Sequence, residues 1–111
     1  MAPKTTGTKS RATTAGLVLT PGASAGRDQG ALVAMDEAVS ESGIHVERVD
    51  FPYRLAGRRA PDRPPVLIAT VVEAATSLAS ELGVPSARIA VGGRSMGGRM
   101  CSMAVAHGLT T

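Results

Sequence analysis

The sequence predicts an α/β fold, a three-layer sandwich on a parallel sheet. Three observations carry this. Short apolar runs alternate with helical stretches, in the order strand, helix, strand, helix, strand, helix. The first run, Gly16-Leu17-Val18-Leu19-Thr20, is continuously apolar and stopped by Pro21-Gly22, as a strand buried on both faces should be. The helix expected from Pro65 to Leu82 has a broad apolar stripe that needs a sheet to lie on.

The elements follow in chain order. A loop with Gly22, Gly26 and Gly30 succeeds the first strand. A helix is then expected from Asp28 to Ser42, with Asp28 as N-cap, Gly43 as stop and Leu32, Met35 and Val39 on one face. The second strand is read from Ile44 to Phe51; its alternation slips by one, which suggests a bulge or an early strand end. Pro52 to Pro65 reads as a loop. In the main helix Ile68, Val71, Val72, Ala75, Leu78, Ala79 and Leu82 share a face, and Gly83 ends it. Arg88 to Gly93 is the third strand. Met96 to His107 is a helix apolar nearly all round, which implies burial on several sides.

The 111 residues suit one small domain: a disordered basic tail over 1–15 and the folded body over 16–111. Aromatics are only 2%, so the core must come from Ala, Val, Leu, Ile and Met. The net charge of +3 comes from Lys4, Lys9 and Arg11, since nine Arg balance nine Asp and Glu from Gly16 onward. A neutral body poor in aromatics argues against nucleic acid as a partner. Arg54, Arg58, Arg59 and Arg63 surround only Asp62, which reads as a solvated basic loop or an anion contact. Cys101 is the lone cysteine, so no internal disulfide can form, which fits the cytoplasm. The N-terminus has no signal-peptide core, and no apolar run is long enough to span a membrane.

The chemistry points to Gly93-Arg94-Ser95-Met96-Gly97, set between a predicted strand and a predicted helix. Gly-x-Ser-x-Gly in that setting is a nucleophile elbow. The turn is so tight that side chains at 93 and 97 would collide. The serine hydroxyl is thrust out of the sheet, and the helix N-terminus favours developing negative charge. Two phosphate-cradling alternatives fit worse. Gly92 to Gly97 has P-loop spacing, but Gly98-Arg99 replaces Lys-Ser/Thr, and neither glycine cluster gives a dinucleotide fingerprint. The loop after the first strand should supply the second oxyanion donor beside the Met96 amide; Ala23 is favoured and Gly22 is the rival. If the first strand is central, this loop and Ser95 share the crevice at the strand C-terminal ends.

Thr20-Pro-Gly-Ala-Ser-Ala-Gly-Arg-Asp-Gln29, Val49-Asp-Phe-Pro-Tyr-Arg54 and Gly92-Gly-Arg-Ser-Met-Gly-Gly-Arg-Met100 resemble dienelactone-hydrolase-like proteins. More narrowly they are similar to the α/β-hydrolase branch of testis-expressed protein 30 and NSL complex subunit 3. The resemblance covers residues 16–107 and implies an α/β-hydrolase fold, a Ser95 nucleophile and oxyanion donors near Ala23 and Met96. It implies a reaction class rather than a reaction; a small-molecule ester or acyl substrate of unknown identity is expected, and no cofactor or metal. Relative to a full member, opening antiparallel strands and everything after the elbow helix are missing, so the chain is expected to be the N-terminal part of the domain.

The triad order in this fold is Ser, then Asp or Glu, then His. After Ser95 there is no acid and only His107, twelve residues on and roughly 18 Å away along a helix. His45 begins the second strand, at the opposite sheet end. Asp50 lies at the correct end but reads as a loop or Arg contact, and Cys101 reads as packing. The alternative function is a non-catalytic α/β-hydrolase-like interaction or scaffold module.

Overall fold

The structure, a computed structural model, describes residues 13–109. Most of the expected basic tail therefore lies outside the described residues. Its last part, Thr13 to Ala15, is bound to the sheet. The Ala15 amide donates to the Arg88 carbonyl (2.8 Å), the His45 amide donates to the Ala15 carbonyl (3.1 Å), and Arg88 Nε donates to the Thr13 carbonyl (2.8 Å).

Three strands form one parallel sheet: β1 (Gly16–Thr20), β2 (His45–Arg48) and β3 (Ile89–Gly93), in the order β2-β1-β3. The central place of β1 follows from its composition, since only its residues are apolar enough to be flanked on both edges and covered on both faces. Gly16 aligns with His45 on one side and Ile89 on the other, and Thr20 aligns with Gly93. Among the described residues β3 pairs with β1 alone, so its outer edge is open.

Four α-helices accompany the sheet: α1 (Gly30–Ser40), α2 (Pro52–Leu55), α3 (Pro64–Leu82) and α4 (Met96–Ala106). Side chains alternate along β2, and this separates the layers. Arg48 bonds Asp36 of α1 (2.9 Å), whereas Glu47 and Val49 line a groove with Ala74, Ser77, Leu78 and Glu81 of α3. Hence α1 and α3 cover opposite faces, and α4 packs beside α3.

Several expectations need correction. α1 starts at Gly30, after a Gln29 N-cap that makes no side-chain cap bond. Asp28 does not cap the helix; its carboxylate pairs with Arg48 (3.2 Å). Of the expected apolar face only Leu32 is buried, and Met35 is 49% exposed. β2 ends early, at Arg48, which explains the slipped alternation. The segment read as a loop contains α2. Pro52 suits the first helical position, where no amide is needed, and the Tyr53 amide donates to the Asp62 carboxylate (2.8 Å). On α3 the buried stripe begins at Leu67 rather than Ile68, then runs through Val71, Ala75, Leu78 and Ala79. Gly83 ends this helix in the left-handed region, φ 67°. β3 begins at Ile89, after a 3₁₀ turn over Ser86–Arg88. α4 buries one stripe, Met96, Gly97, Met100, Cys101 and Ala104, while Val105 is exposed.

The aromatics also differ from expectation. Phe51 and Tyr53, few as they are, are both fully buried, with near-parallel rings 12° apart in plane and centroids 6.4 Å apart. They join Leu67, Val71, Met96, Met100, Cys101 and Ala104 in one core cluster; Val18, Ala75, Leu78, Ala79 and Ile89 form the other. By length and composition α3 does qualify as an apolar span of 19 residues, contrary to the sequence reading. Here its apolar stripe is spent on β1, β3 and α4.

Leu78→Ala should cost about 2–5 kcal/mol in urea denaturation, because it opens a cavity between α3 and the sheet. Met35→Ala should stay within about 0.5 kcal/mol, since its side chain faces solvent.

Candidate functional site

At the C-terminal end of β3 the chain turns directly into α4. Ser95 sits on the corner with φ 50° and ψ −112°, and it is the sole non-glycine residue with positive φ among the described residues. Such a conformation costs on the order of 1–3 kcal/mol and persists only where the surroundings over-determine it.

They do so here through Thr20. The Arg94 amide donates to the Thr20 carbonyl (3.0 Å), the Gly97 amide to the Arg94 carbonyl (2.8 Å), and the Arg99 amide to the Ser95 carbonyl (3.0 Å). A Cβ at Gly97 would stand 2.5 Å from both the carbonyl and hydroxyl oxygens of Thr20 and 2.6 Å from the Pro21 carbonyl. A Cβ at Gly93 would run into the same two Thr20 oxygens. It would also come within 3.0 Å of the Gly97 carbonyl carbon, so the mutual crowding expected from the sequence is present but secondary. The dominant obstacle is the end of β1.

Thr20 is itself fully buried. Its hydroxyl donates to the Gly92 carbonyl (3.2 Å), the Cys101 thiol donates to the same oxygen (3.4 Å), and the two side chains meet at 3.5 Å. Burial raises the Cys101 pKa above its ordinary value, with the Thr20 contact opposing it. Cys101 is therefore a protonated packing residue, as its place inside the helix suggested.

The loop after β1 lies against the corner. A Cβ on Gly22 would be 3.8 Å from Ser95 Cβ and from the Arg94 carbonyl. Two side chains fix its backbone. Gln29 Oε1 accepts the Gly22 amide (3.1 Å), and the Tyr53 hydroxyl donates to the Ala23 carbonyl (2.6 Å). Burial raises the Tyr53 pKa, so the phenol stays a donor at neutral pH. The Gly22 carbonyl accepts from the Ala25 amide (3.2 Å). Among the described residues the amides of Ala23 and Met96 donate to no acceptor, whereas that of Gly22 is taken.

Asp50 holds the far side of the same loop, accepting the Arg27 amide (2.7 Å) so closely that a Cβ at Gly26 would come within 2.8 Å of its oxygen. This is the loop contact expected of it. Of the basic segment, Arg58 pairs with Asp62 (3.1 Å), which also caps α2. His107 caps the far end of α4, and His45 opens β2 at the opposite end of the sheet. Neither approaches Ser95. His45, Glu47 and Glu81 form a set whose ligand atoms lie within 4.8 Å of one another, on that opposite rim.

Sequence reasoning missed Thr20, Gln29 and Tyr53. Thr20 reads as the last strand residue, Gln29 as the first turn of the expected helix, and Tyr53 as part of a loop without periodicity. A polar residue ending an otherwise apolar strand was the one available signal for Thr20.

No curated protein and no solved structure matches this chain significantly. One family, described as an alpha/beta hydrolase domain, matches residues 13–110. With a parallel sheet, a forced serine corner and nearly the whole described chain matched, the protein belongs to the alpha/beta hydrolase domain family.

Proposed function

We propose that Ser95 is the nucleophile of an acyl hydrolase acting on a small-molecule ester, with the Met96 and Ala23 amides as oxyanion donors. The observation that carries this is the strained backbone of Ser95 beside a loop that offers an uncommitted amide. Strain of this kind is retained where it serves a site. Gly22 is set aside as a donor because Gln29 already holds its amide. The sequence resemblance to dienelactone-hydrolase-like proteins, and to the branch of testis-expressed protein 30, supports the same reaction class.

The step is an acyl transfer. Ser95 Oγ bonds to the acyl carbon as the carbonyl electron pair moves onto oxygen, where the two amides stabilise it. Collapse expels the alcohol, which takes up the serine proton, and water then releases the acid. The proton needs a base, and among the described residues neither histidine is near Ser95. That second fact favours the rival reading, a scaffold module that keeps the fold without turnover.

The 111-residue chain should therefore show little ester turnover, yet a fluorophosphonate in excess should modify Ser95 ahead of the other serines, as read by peptide mass spectrometry. Added imidazole should speed that modification by supplying the base. Modification spread evenly over the serines, or unchanged by Ser95→Ala, overturns the nucleophile assignment. Tyr53→Phe leaves the Ala23 carbonyl unpartnered and should slow Ser95 modification several-fold while the Ser95 corner survives.

A further inference from the structure

Beside the oxyanion loop opens a cleft of about 450 Å³, lined by Gly26, Arg27, Asp28, Gln29, Asp50 and Arg54. We infer that this cleft receives an anionic group of the substrate, a carboxylate or a phosphate remote from the ester bond; the inference rests on the reading of Ser95 as nucleophile.

Position comes first. Gln29 belongs both to the cleft wall and to the loop at the serine, since its side chain accepts the Gly22 amide, and Gly22 abuts Ser95. A substrate with its carbonyl at Ser95 would thus reach the cleft along the loop backbone.

Charge comes second. Of the cleft's two acids, Asp28 pairs with Arg48, which also serves Asp36, while Asp50 accepts the neutral Arg27 amide and keeps its charge, leaving one unpaired carboxylate against two guanidinium groups. The guanidinium groups of Arg27 and Arg54 make no ion pair among the described residues. Arg94 and Arg99 flank Ser95 on the same rim of the sheet, likewise without an ion pair among those residues. Glu37, Glu41 and Glu81 fall at or just beyond the C-terminal ends of α1 and α3, which the parallel topology puts on the opposite rim. On the rim bearing Ser95, Arg27, Arg54, Arg94 and Arg99 thus outnumber Asp28 and Asp50. A planar guanidinium fork suits a carboxylate or phosphate.

Coupling comes third. Arg54 directly follows Tyr53, whose hydroxyl holds the Ala23 carbonyl, so α2 carries a cleft residue and a loop anchor on adjacent positions. An anion drawn to Arg54 would steady the short helix that positions the oxyanion loop.

The test is an NMR titration of the 111-residue chain with glutarate, with inorganic phosphate and with neutral dimethyl glutarate, at constant ionic strength. Saturable shifts of the Arg27, Gln29 and Arg54 amides are expected with an anion and not with the diester. Arg54→Ala and Arg27→Ala should weaken binding several-fold at unchanged Tm, while Arg63→Ala, outside the cleft, should bind as the parent does. Saturation by glutarate alone assigns a carboxylate; saturation by phosphate assigns a phosphate group. No saturable shift with either anion, or equal weakening by Arg63→Ala, overturns the inference. Fluorophosphonate modification separates the two readings. Selective modification of Ser95 without anion binding overturns the cleft assignment alone. Anion binding with unselective modification overturns the nucleophile reading and, with it, the cleft's role toward an ester.

Discussion

The last residue of β1 is the wedge on which the site depends. Thr20 is buried, aligned with Gly93 across the sheet, and in contact with Gly92, Arg94 and Cys101. Its carbonyl takes the Arg94 amide and so fixes where β3 stops. Its two oxygens fill the space that side chains at 93 and 97 would need. With both positions emptied, α4 can start one residue after Ser95, and the chain has no relaxed route between strand and helix. The positive φ at Ser95 is thus imposed from the neighbouring strand as much as by the local sequence.

A second set of contacts prepares the loop facing that corner. Gln29, Tyr53 and Asp50 each spend a polar group on the backbone between Gly22 and Arg27. Small residues alone would leave that stretch loose; three side-chain bonds from two different segments hold it. Asp62 extends the chain of support, since it caps α2 and takes Arg58, so the arginine-rich segment is partly structural. Within that segment Arg58 pairs with Asp62 and Arg54 lines the cleft.

Much of this was legible in the sequence. The strand order followed from the continuous apolar run at Gly16–Thr20, and the corner from two glycines around a serine between periodic segments. Three features escaped for physical reasons. α2 has four residues, too few to show any period, and its stability comes from Pro52 and from Asp62, nine residues beyond Tyr53. α1 carries apolar residues at helical spacing, yet Met35 faces outward, because periodicity reports what a helix could bury and not what covers it. The bonds of Thr20 and Tyr53 join residues 72 and 30 positions apart, and Gln29 reaches back seven residues within its own loop, so hydrophobic periodicity reports none of the three.

The tyrosine has one more consequence. It is the chain's single tyrosine, there is no tryptophan, and its hydroxyl is bonded to the loop that faces Ser95. Intrinsic phenol emission from this molecule therefore originates at one point of known surroundings. The protein carries a built-in optical reporter, silent about the rest of the chain and sensitive to whether that single carbonyl is still held.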